Sequence, residues 1–463
     1  MNADDKASPD ELKAFLKAAP DTQSLELIVP DLNGIPRGKR IPRDEFDVFF
    51  RSGVKNCGGT PLMSCKGETI DELGLGTRDG DPDMIIYPVK GTIAPIPWLA
   101  SPTGQALVTT YRMSGEPSLY DPRHTLRNAM RPLYEMGLRP VIATELEFYL
   151  LEDIDGPVPR AKVGRIPGTN LPQDGYQYAM MEDLWESDDF LEDVYAACRA
   201  QHVPATTAHS EFAPGQLEIN LHHVDDPVTA CDHAVLLKRA IKGVARRHRL
   251  GATFMAKPFQ FAAGCGLHVH VSVYNEKGEN ILADGSVESP PRISESMRHA
   301  IGGLAHTMAD FMAVFAPNAN SYRRLRPKAY VPLKPNWGYN HRGVALRIPV
   351  CDLQDMRIEH RVAGADANPY LVVGAILAGI HYGLEHRCDP GEMVAEGTFL
   401  DDEEITLPTR WEAALERFDK SAIVKDYFGK EWCRIFSVAR HSECEQFNAQ
   451  VSNRDYEWYL RAV

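Results

Sequence analysis

A chain of 463 residues is long for one hydrophobic core, so its length predicts two domains. Its composition, 44% apolar and 25% charged, is typical of a globular protein, and its formal charge of −14 argues against a nucleic-acid partner, which needs a basic patch. Nine cysteines without CxxC spacing favour free thiols in a reducing compartment. No apolar signal core opens the chain, and the longest apolar run, at 370–380, is too short to span a bilayer, so we expect a cytoplasmic protein without a membrane partner.

Residues 1–118 are predicted to form a small β-rich domain. A polar start and a short helix occupy residues 1–20, and two extended runs then flank Asn33-Gly34, a dipeptide typical of hairpins. The segment "GIPRGKR" (34–40) resembles a Walker A loop weakly, because it has three residues between its glycines and Arg40 in the Ser or Thr position. We therefore interpret it as a hairpin arm.

Residues 119–463 are predicted to form a larger α+β domain. Asp121-Pro122 is typical of a helix N-cap followed by proline at the first helical position. Strand-like runs such as "PVIATELEFYLL", "GQLEINLHH" and "LHVHVSVYN" then alternate with helical stretches, and the last 60 residues read as helices. This order indicates a large, mainly antiparallel sheet.

Acidic side chains recur on the predicted strands of this domain. Glu145 and Glu147, two apart in "TELEFYL", face one side of a strand, although such a pair alone is more often a solvent-facing stripe. Glu211 and Glu218 follow in "SEFAPGQLEIN", and Glu359 in "MRIEHRVAG". Because clustered carboxylates need cations, and oxygen ligands suit Mg²⁺ or Mn²⁺, a divalent-metal site is predicted.

The run "GCGLHVHVSV" (264–273) adds two histidines to this set. His268 and His270 lie two apart on a predicted strand and so face the same way. The spacing alone leaves open whether both bind a metal, one does, or both are core histidines.

Arginines follow in "NSYRRLRP" and "YNHRGVALRIP". Single arginines are usually solvated, but several beside metal-binding carboxylates suggest a nucleoside triphosphate, whose charge both groups share. No GxGxxG or P-loop precedes a helix, so the nucleotide is expected against a sheet.

Together these motifs resemble the glutamine synthetases. "TELEFYL", "PGQLEINL", "ATFMAKP", "GCGLHVHVS", "NSYRRLRP", "VALRIP" and "RIEHRVAGADANPYL" follow in the family's order, from about residue 20 to the C-terminus. "DLNGIPRGKRIP" and "AYVP" resemble the γ-glutamylpolyamine synthetase (glutamate–putrescine ligase) branch in particular. The resemblance implies ATP-dependent ligation of glutamate to an amine through γ-glutamyl phosphate.

The resemblance also implies which residues bind each ligand. One divalent cation, Mg²⁺ or Mn²⁺, is expected at Glu147, Glu211 and Glu218, and a second, beside the ATP phosphates, at Glu145, His268 and Glu359. ATP is expected at His270, Ser272, Arg342, Arg347 and Arg357, with Arg342 closest to the transferred group and therefore the catalytic candidate. Glutamate is expected at Gly264, Arg324 and Arg361.

One departure from the family bears on the amine. Ammonia-using members carry a glutamate in the flap after the "RRLxP" segment, where this chain has Tyr330. The departure favours putrescine or another polyamine, with Tyr330 as the amine-site candidate, over a monoamine such as methylamine or ethanolamine, or ammonia. A structural role for this aromatic stays open.

The family's architecture implies an N-terminal β-grasp domain, a catalytic domain, and a homo-oligomer of two stacked hexameric rings. From other classes, a metal-dependent amidohydrolase shares the His-x-His strand, but the pair here lies mid-chain among glutamates. A catalytically inactive relative is disfavoured because all six expected metal ligands are present.

Overall fold

The computed structural model describes residues 5–152, 156, 158–173, 175, 178–398, 400 and 404–463. The first part of the chain builds a six-stranded sheet in the order β2-β1-β6-β4-β3, with β5 paired to β6. Its strands are β1 (Ser24–Pro30), β2 (Pro36–Pro42), β3 (Val54–Cys57), β4 (Asp83–Pro88), β5 (Ala94–Pro95) and β6 (Thr103–Arg112). Helices α1 (Pro9–Ala18) and α2 (Phe46–Ser52) pack their buried phenylalanines against it.

The hairpin predicted around Asn33-Gly34 is present. β1 and β2 pair antiparallel from Pro30 opposite Pro36 onward, and Gly34 has a φ of 74° in the connecting turn. The "GIPRGKR" segment is therefore a hairpin arm, as the sequence predicts. β1 also pairs parallel with β6, which makes this sheet mixed.

The second sheet has eight strands in the order β12-β13-β14-β11-β7-β9-β8, with β10 paired to β7. Its strands are β7 (Arg139–Glu152), β8 (Ala205–Ser210), β9 (Gln216–Leu221), β10 (Leu250–Thr253), β11 (Leu267–Tyr274), β12 (Trp337–Tyr339), β13 (Leu346–Ile348) and β14 (Ile358–His360). All pairings among them are antiparallel except β12 with β13, so the expected mainly antiparallel sheet is confirmed.

Helices precede, separate and follow these strands along the chain, and most of them contribute buried residues to the core. They are α3 (Pro122–Glu135), α4 (Met181–Trp185), α5 (Asp188–Ala200), α6 (Pro227–Arg247), α7 (Glu295–Thr307), α8 (Met312–Phe315), α9 (Ser321–Arg324), α10 (Pro369–His386), α11 (Trp411–Lys420), α12 (Ala422–Phe428), α13 (Lys430–Asn448) and α14 (Asn453–Tyr459). Asp121 caps α3, because its side chain accepts from the Arg123 amide. The apolar run at 370–380 lies in α10, and every residue of the run is buried.

The chain passes from the first sheet to α3 between Arg112 and Pro122. The predicted domain boundary at residue 118 falls in this connection and stays a prediction. Among the described helices, none is both long and apolar enough to cross a membrane.

Candidate active site

Strand register sets the predicted site residues in rows across one face of the second sheet. In one row Arg347, Glu359 and His270 face one another on β13, β14 and β11. A second row pairs His268 with Glu145 on β7. In a third row, Glu147, Glu218 and His209 lie opposite one another on β7, β9 and β8. Residues in register share a face, so segments more than 200 residues apart in sequence meet here.

The Glu145 carboxylate is hydrogen-bonded to both histidines of the "HVH" run. Its carboxylate lies 3.2 Å from His268 Nδ1 and 2.9 Å from His270 Nε2. Burial opposes ionisation, but these two hydrogen bonds hold the pKa of Glu145 well below its usual range. His268 also lies 3.8 Å from Glu147 and 4.0 Å from Glu359, so it touches three carboxylates.

The carboxylates on the β8–β9 side are poorly compensated. Burial and the neighbouring charges of Glu145, Glu147 and Glu211 raise the pKa of Glu218, and burial also raises that of Glu147. Glu211 lies one residue beyond β8, in the turn to β9, and not on a strand as the sequence suggested. Excess acidic charge of this kind is stabilised by a bound cation.

Glu359 has the opposite environment. Its side chain is 1% exposed and accepts from Arg347 Nη1 at 2.7 Å and from Arg361. Burial opposes ionisation, but Arg361, followed by the two histidines, lowers the pKa of Glu359 to about 2. This carboxylate is therefore charged at neutral pH and already paired.

Among the residues that the structure describes, three groups of side chains place their ligand atoms within 4.8 Å of one another. They are Glu145, His268 and Glu359; Glu147, Glu218 and His268; and His209, Glu211 and Glu218. The first is the predicted second cation site brought together as one group. Glu147, Glu211 and Glu218 are instead divided between the other two groups, which share Glu218. These oxygen-rich donor sets fit Mg²⁺ or Mn²⁺ better than Zn²⁺.

A cavity of about 690 Å³ adjoins the acidic cluster. Three of the residues predicted to bind ATP, His270, Ser272 and Arg357, line it beside Glu145. Arg357 Nε lies 3.3 Å from His270 Nδ1, and Ser272 Oγ donates to the Met356 carbonyl at 2.9 Å. The volume is in the range of small-ligand pockets.

The residues predicted to bind the substrate glutamate, Gly264, Arg324 and Arg361, are not among those that line this cavity. Arg324 is buried and donates to the carbonyls of Val362 and Ala363, next to Arg361. A Cβ at Gly264 would come within 2.7 Å of the Ala256 carbonyl oxygen and of the Arg324 side chain, so the backbone needs glycine there.

Two predicted residues lie away from the carboxylates of this cluster. Arg342 is exposed in the loop between β12 and β13, and within the described residues no contact links it to the carboxylates. Tyr330 is 79% exposed in the segment after α9, where its ring contacts Phe212.

Sequence reasoning missed two residues of the cluster. His209 lies 2.8 Å from Glu211, and this hydrogen bond raises its pKa, while Gln216 Nε2 donates to Glu147 at 3.2 Å and to the Gly264 carbonyl at 3.0 Å. The signal for His209 was present, because it stands two residues before Glu211 in "AHSEF". Gln216 had no such signal.

Comparison with known proteins agrees with this geometry. The profile "Glutamine synthetase, catalytic domain" matches residues 119–459. The "Gamma-glutamylputrescine synthetase PuuA" of Escherichia coli (strain K12) is 38% identical over 459 residues, covering 97% of this chain and 94% of that protein. The "Glutamate--isopropylamine ligase" of a Pseudomonas species is 28% identical over 444 residues, covering 95% of each.

A solved structure, "Apo GmaS without ligand", shares the fold. It superposes with a TM-score of 0.82 at 22% identity, covering 97% of this chain and 99% of that one. The chain therefore belongs to the glutamine synthetase family.

Proposed function

We propose that this protein ligates the γ-carboxylate of glutamate to a primary amine at the expense of ATP. The observation that carries the proposal is the juxtaposition of a carboxylate–histidine cluster, paired arginines and a 690 Å³ cavity on one sheet face. A phosphoryl-transfer site needs this combination, because anionic phosphates require both metal ligands and arginines.

The reaction needs two steps because an oxide ion is too poor a leaving group for an amine to displace. The γ-carboxylate of glutamate attacks the γ-phosphorus of ATP, and ADP leaves as γ-glutamyl phosphate forms. The neutral amine nitrogen then attacks the acyl carbon. Inorganic phosphate departs with the electron pair of the broken C–O bond and takes up the proton that the nitrogen loses. The protein's task is positioning and charge stabilisation.

The proposed metal ligands are those that the family resemblance implies. Glu147, Glu211 and Glu218 would hold one cation; Glu145, His268 and Glu359 would hold the second. Bound Mg²⁺ or Mn²⁺ would offset phosphate charge. His209 would orient Glu211 through their 2.8 Å hydrogen bond.

The proposed roles of the remaining residues follow from their positions around the cluster. His270, Ser272 and Arg357 line the cavity and would contact ATP, with Arg347 behind them on β13. Arg342, on its exposed loop, would reach the transferred phosphoryl group. Gly264, Arg324 and Arg361 would bind glutamate's carboxylates, for which a guanidinium is well matched.

The amine is proposed to be putrescine or another polyamine. The relative named for putrescine is 38% identical to this chain, whereas that named for isopropylamine is 28% identical. Tyr330, in place of an acidic flap residue, supports an alkyl substrate over ammonium. A monoamine such as methylamine or ethanolamine is the second candidate, because another relative, 29% identical, is named a γ-glutamylethanolamide synthetase.

We further propose a β-grasp domain at residues 1–118, a catalytic domain at 119–463, a dodecamer of two rings, and a cytoplasmic location. Support comes from the hydrophobic cluster that α1 and α2 form with the first sheet, the family match beginning at residue 119, and nine free cysteines.

Phosphate release with glutamate, ATP and Mg²⁺ or Mn²⁺ tests the function. We expect release that depends on both substrates and an amine, fastest with putrescine in a panel with spermidine, ethanolamine, methylamine and ammonia. Glu147→Gln should abolish release while leaving the far-UV circular dichroism unchanged. Equal rates with ammonia and putrescine would overturn the choice of amine, and stoichiometric Zn²⁺ without ATP affinity would favour an amidohydrolase.

A further inference from the structure

Three aromatic rings form a chain beside the acidic cluster. The ring of Phe212 lies 4.9 Å from that of Tyr330 and 6.2 Å from that of Tyr178, measured between centroids. Tyr178 also meets His209 edge to face at 6.1 Å. These residues come from three separate segments: the stretch before α4, the β8–β9 turn, and the flap after α9.

The outer two rings of this aromatic chain face solvent. Tyr178 is 52% exposed and Tyr330 is 79% exposed, while Phe212 is half-buried between them. Single exposed aromatics are common, but adjoining rings beside a polar site form an apolar surface that suits a ligand with a hydrocarbon part.

Backbone strain accompanies both exposed rings. Tyr330 has a φ of 54° and Lys328 a φ of 62°, and Ala179, next to Tyr178, has a φ of 59°. Non-glycine residues in this region cost on the order of 1 kcal/mol or more each, and such strain concentrates at ligand clamps and switch segments. Strain at both segments is expected if the rings are held in position to bind a ligand, and not if they are merely exposed because the core did not accommodate them.

The aromatic chain is joined directly to the cluster. The Phe212 amide lies 3.1 Å from Glu211 Oε2, and His209 connects Tyr178 to the same carboxylate. A ligand lying along the rings would therefore have one end at Glu211 and the other in solvent beyond Tyr330.

We propose that Tyr178, Phe212 and Tyr330 bind the alkyl chain of the amine substrate, with Phe212 as the residue that sets the preference for chain length. The proposal rests on the proposed function. Methylene groups gain from burial against ring faces, and the distal ammonium of a diamine gains from a cation–π contact with an exposed ring. A bare ammonium ion has no chain and gains only at the Glu211 end.

The test measures kcat/KM along the series ammonia, methylamine, ethylamine, propylamine, butylamine and putrescine. In the unmodified protein we expect kcat/KM to rise along the series. Phe212→Ala and Tyr330→Ala should each lower kcat/KM for putrescine by about tenfold, which is the scale of a lost contact with the alkyl chain. The same variants should change kcat/KM for ammonia by less than about twofold. Equal losses for all amines would overturn the proposal.

Two further variants separate ring loss from misfolding. Phe212→Leu fills the half-buried position without a ring and should lower the putrescine-to-ammonia ratio to an intermediate value, whereas Tyr330→Phe should preserve it. Tyr456→Ala removes an exposed ring on α14 and should leave the ratio unchanged. An unchanged ratio in Phe212→Leu and Phe212→Ala would remove Phe212 from the proposal.

Calorimetric binding of putrescine distinguishes this inference from the proposed function. If the protein ligates amines but Tyr330→Ala binds putrescine as tightly as the unmodified protein, the proposal that the aromatic rings bind the amine fails and the proposed function stands. If no amine supports phosphate release and putrescine does not bind, both proposals fail together.

Discussion

Arg347 and Glu359 face each other on β13 and β14, and the Arg347 guanidinium donates to the Glu359 carboxylate at 2.7 Å. Arg361 donates to the second oxygen of the same carboxylate. Glu359 is thus a buried anion between two cations, while Glu218, in the same cluster, is surrounded by other carboxylates. Replacing each of these two glutamates by glutamine should therefore change the stability of the protein in opposite directions.

Glu359→Gln is expected to destabilise the protein. The amide leaves two buried guanidiniums without their anion, and breaking a buried pair in this way costs about 3 kcal/mol. Urea unfolding in EDTA measures the loss. The control is Glu431→Gln, which breaks an exposed pair with Arg434 and should change stability by less than about 0.5 kcal/mol. A similar small change in Glu359→Gln would contradict the pairing.

Glu218→Gln is expected to stabilise the metal-free protein, by about 1 kcal/mol at pH 7.5, because the folded carboxyl must regain a proton that the unfolded one has lost, whereas an amide is neutral in both states. The sign follows from the raised pKa of Glu218: the unfolded carboxyl loses its proton near pH 4.5, the folded one at higher pH, so stability falls as pH rises between them.

The same variant should respond less to metal. Mn²⁺ should raise the Tm of the unmodified protein more than that of Glu218→Gln, because the substitution removes a charged ligand oxygen. Destabilisation by Glu218→Gln in EDTA, or an undiminished Mn²⁺ response, would count against the metal assignment.

Local patterns predicted the strands and helix starts of this protein, and part of the site. The alternation in "TELEFYL" and "LHVHVSV" placed Glu145 and His268 correctly on one sheet face, because side-chain direction in a strand depends on local backbone geometry. The Asp121-Pro122 helix start also follows from local capping chemistry.

Contacts between distant segments could not be predicted in this way. The pairing of Arg347 with Glu359 depends on the register of two three-residue strands, which their short sequences do not specify. The contact of Phe212 with Tyr330 joins two turns, and turn direction depends on the packing around it. Glu211 lies outside β8 for a similar reason, since the strand ends at Ser210 and the connection to β9 begins with Glu211.

His233, on α6, is expected to make stability depend on pH. Burial lowers its pKa to about 4, and its Nδ1 has no partner among the described residues. Below pH 6.5 the His233 imidazole binds a proton in the unfolded state but not in the folded state. Stability therefore falls as pH drops from 6.5 toward 4. Between pH 7 and pH 5.5, His233→Gln should lose about 1.2 kcal/mol less unfolding free energy than the unmodified protein, as measured by urea unfolding. Identical losses in both proteins would show that His233 does not contribute.

Gly303 lies where α7 crosses α10 at close range. A Cβ there would sit 2.3 Å from the Gly379 carbonyl oxygen and from the Gly383 amide nitrogen, which are backbone atoms that cannot rotate away. Gly303→Ala should therefore force the helices apart and destabilise the protein by about 2 kcal/mol, even though alanine gains about 1 kcal/mol in helix propensity.

Thermal and urea unfolding test this prediction, with Gly285→Ala as control, because a Cβ at Gly285 meets its nearest atom at an ordinary 3.6 Å. Neither helix contributes a predicted site residue. Folded Gly303→Ala should therefore keep its phosphate release per molecule at low temperature and lose it on warming before the unmodified protein does. If Gly303→Ala matched the control or stabilised the protein, the helices would have to lie farther apart than the backbone distances at Gly303 indicate.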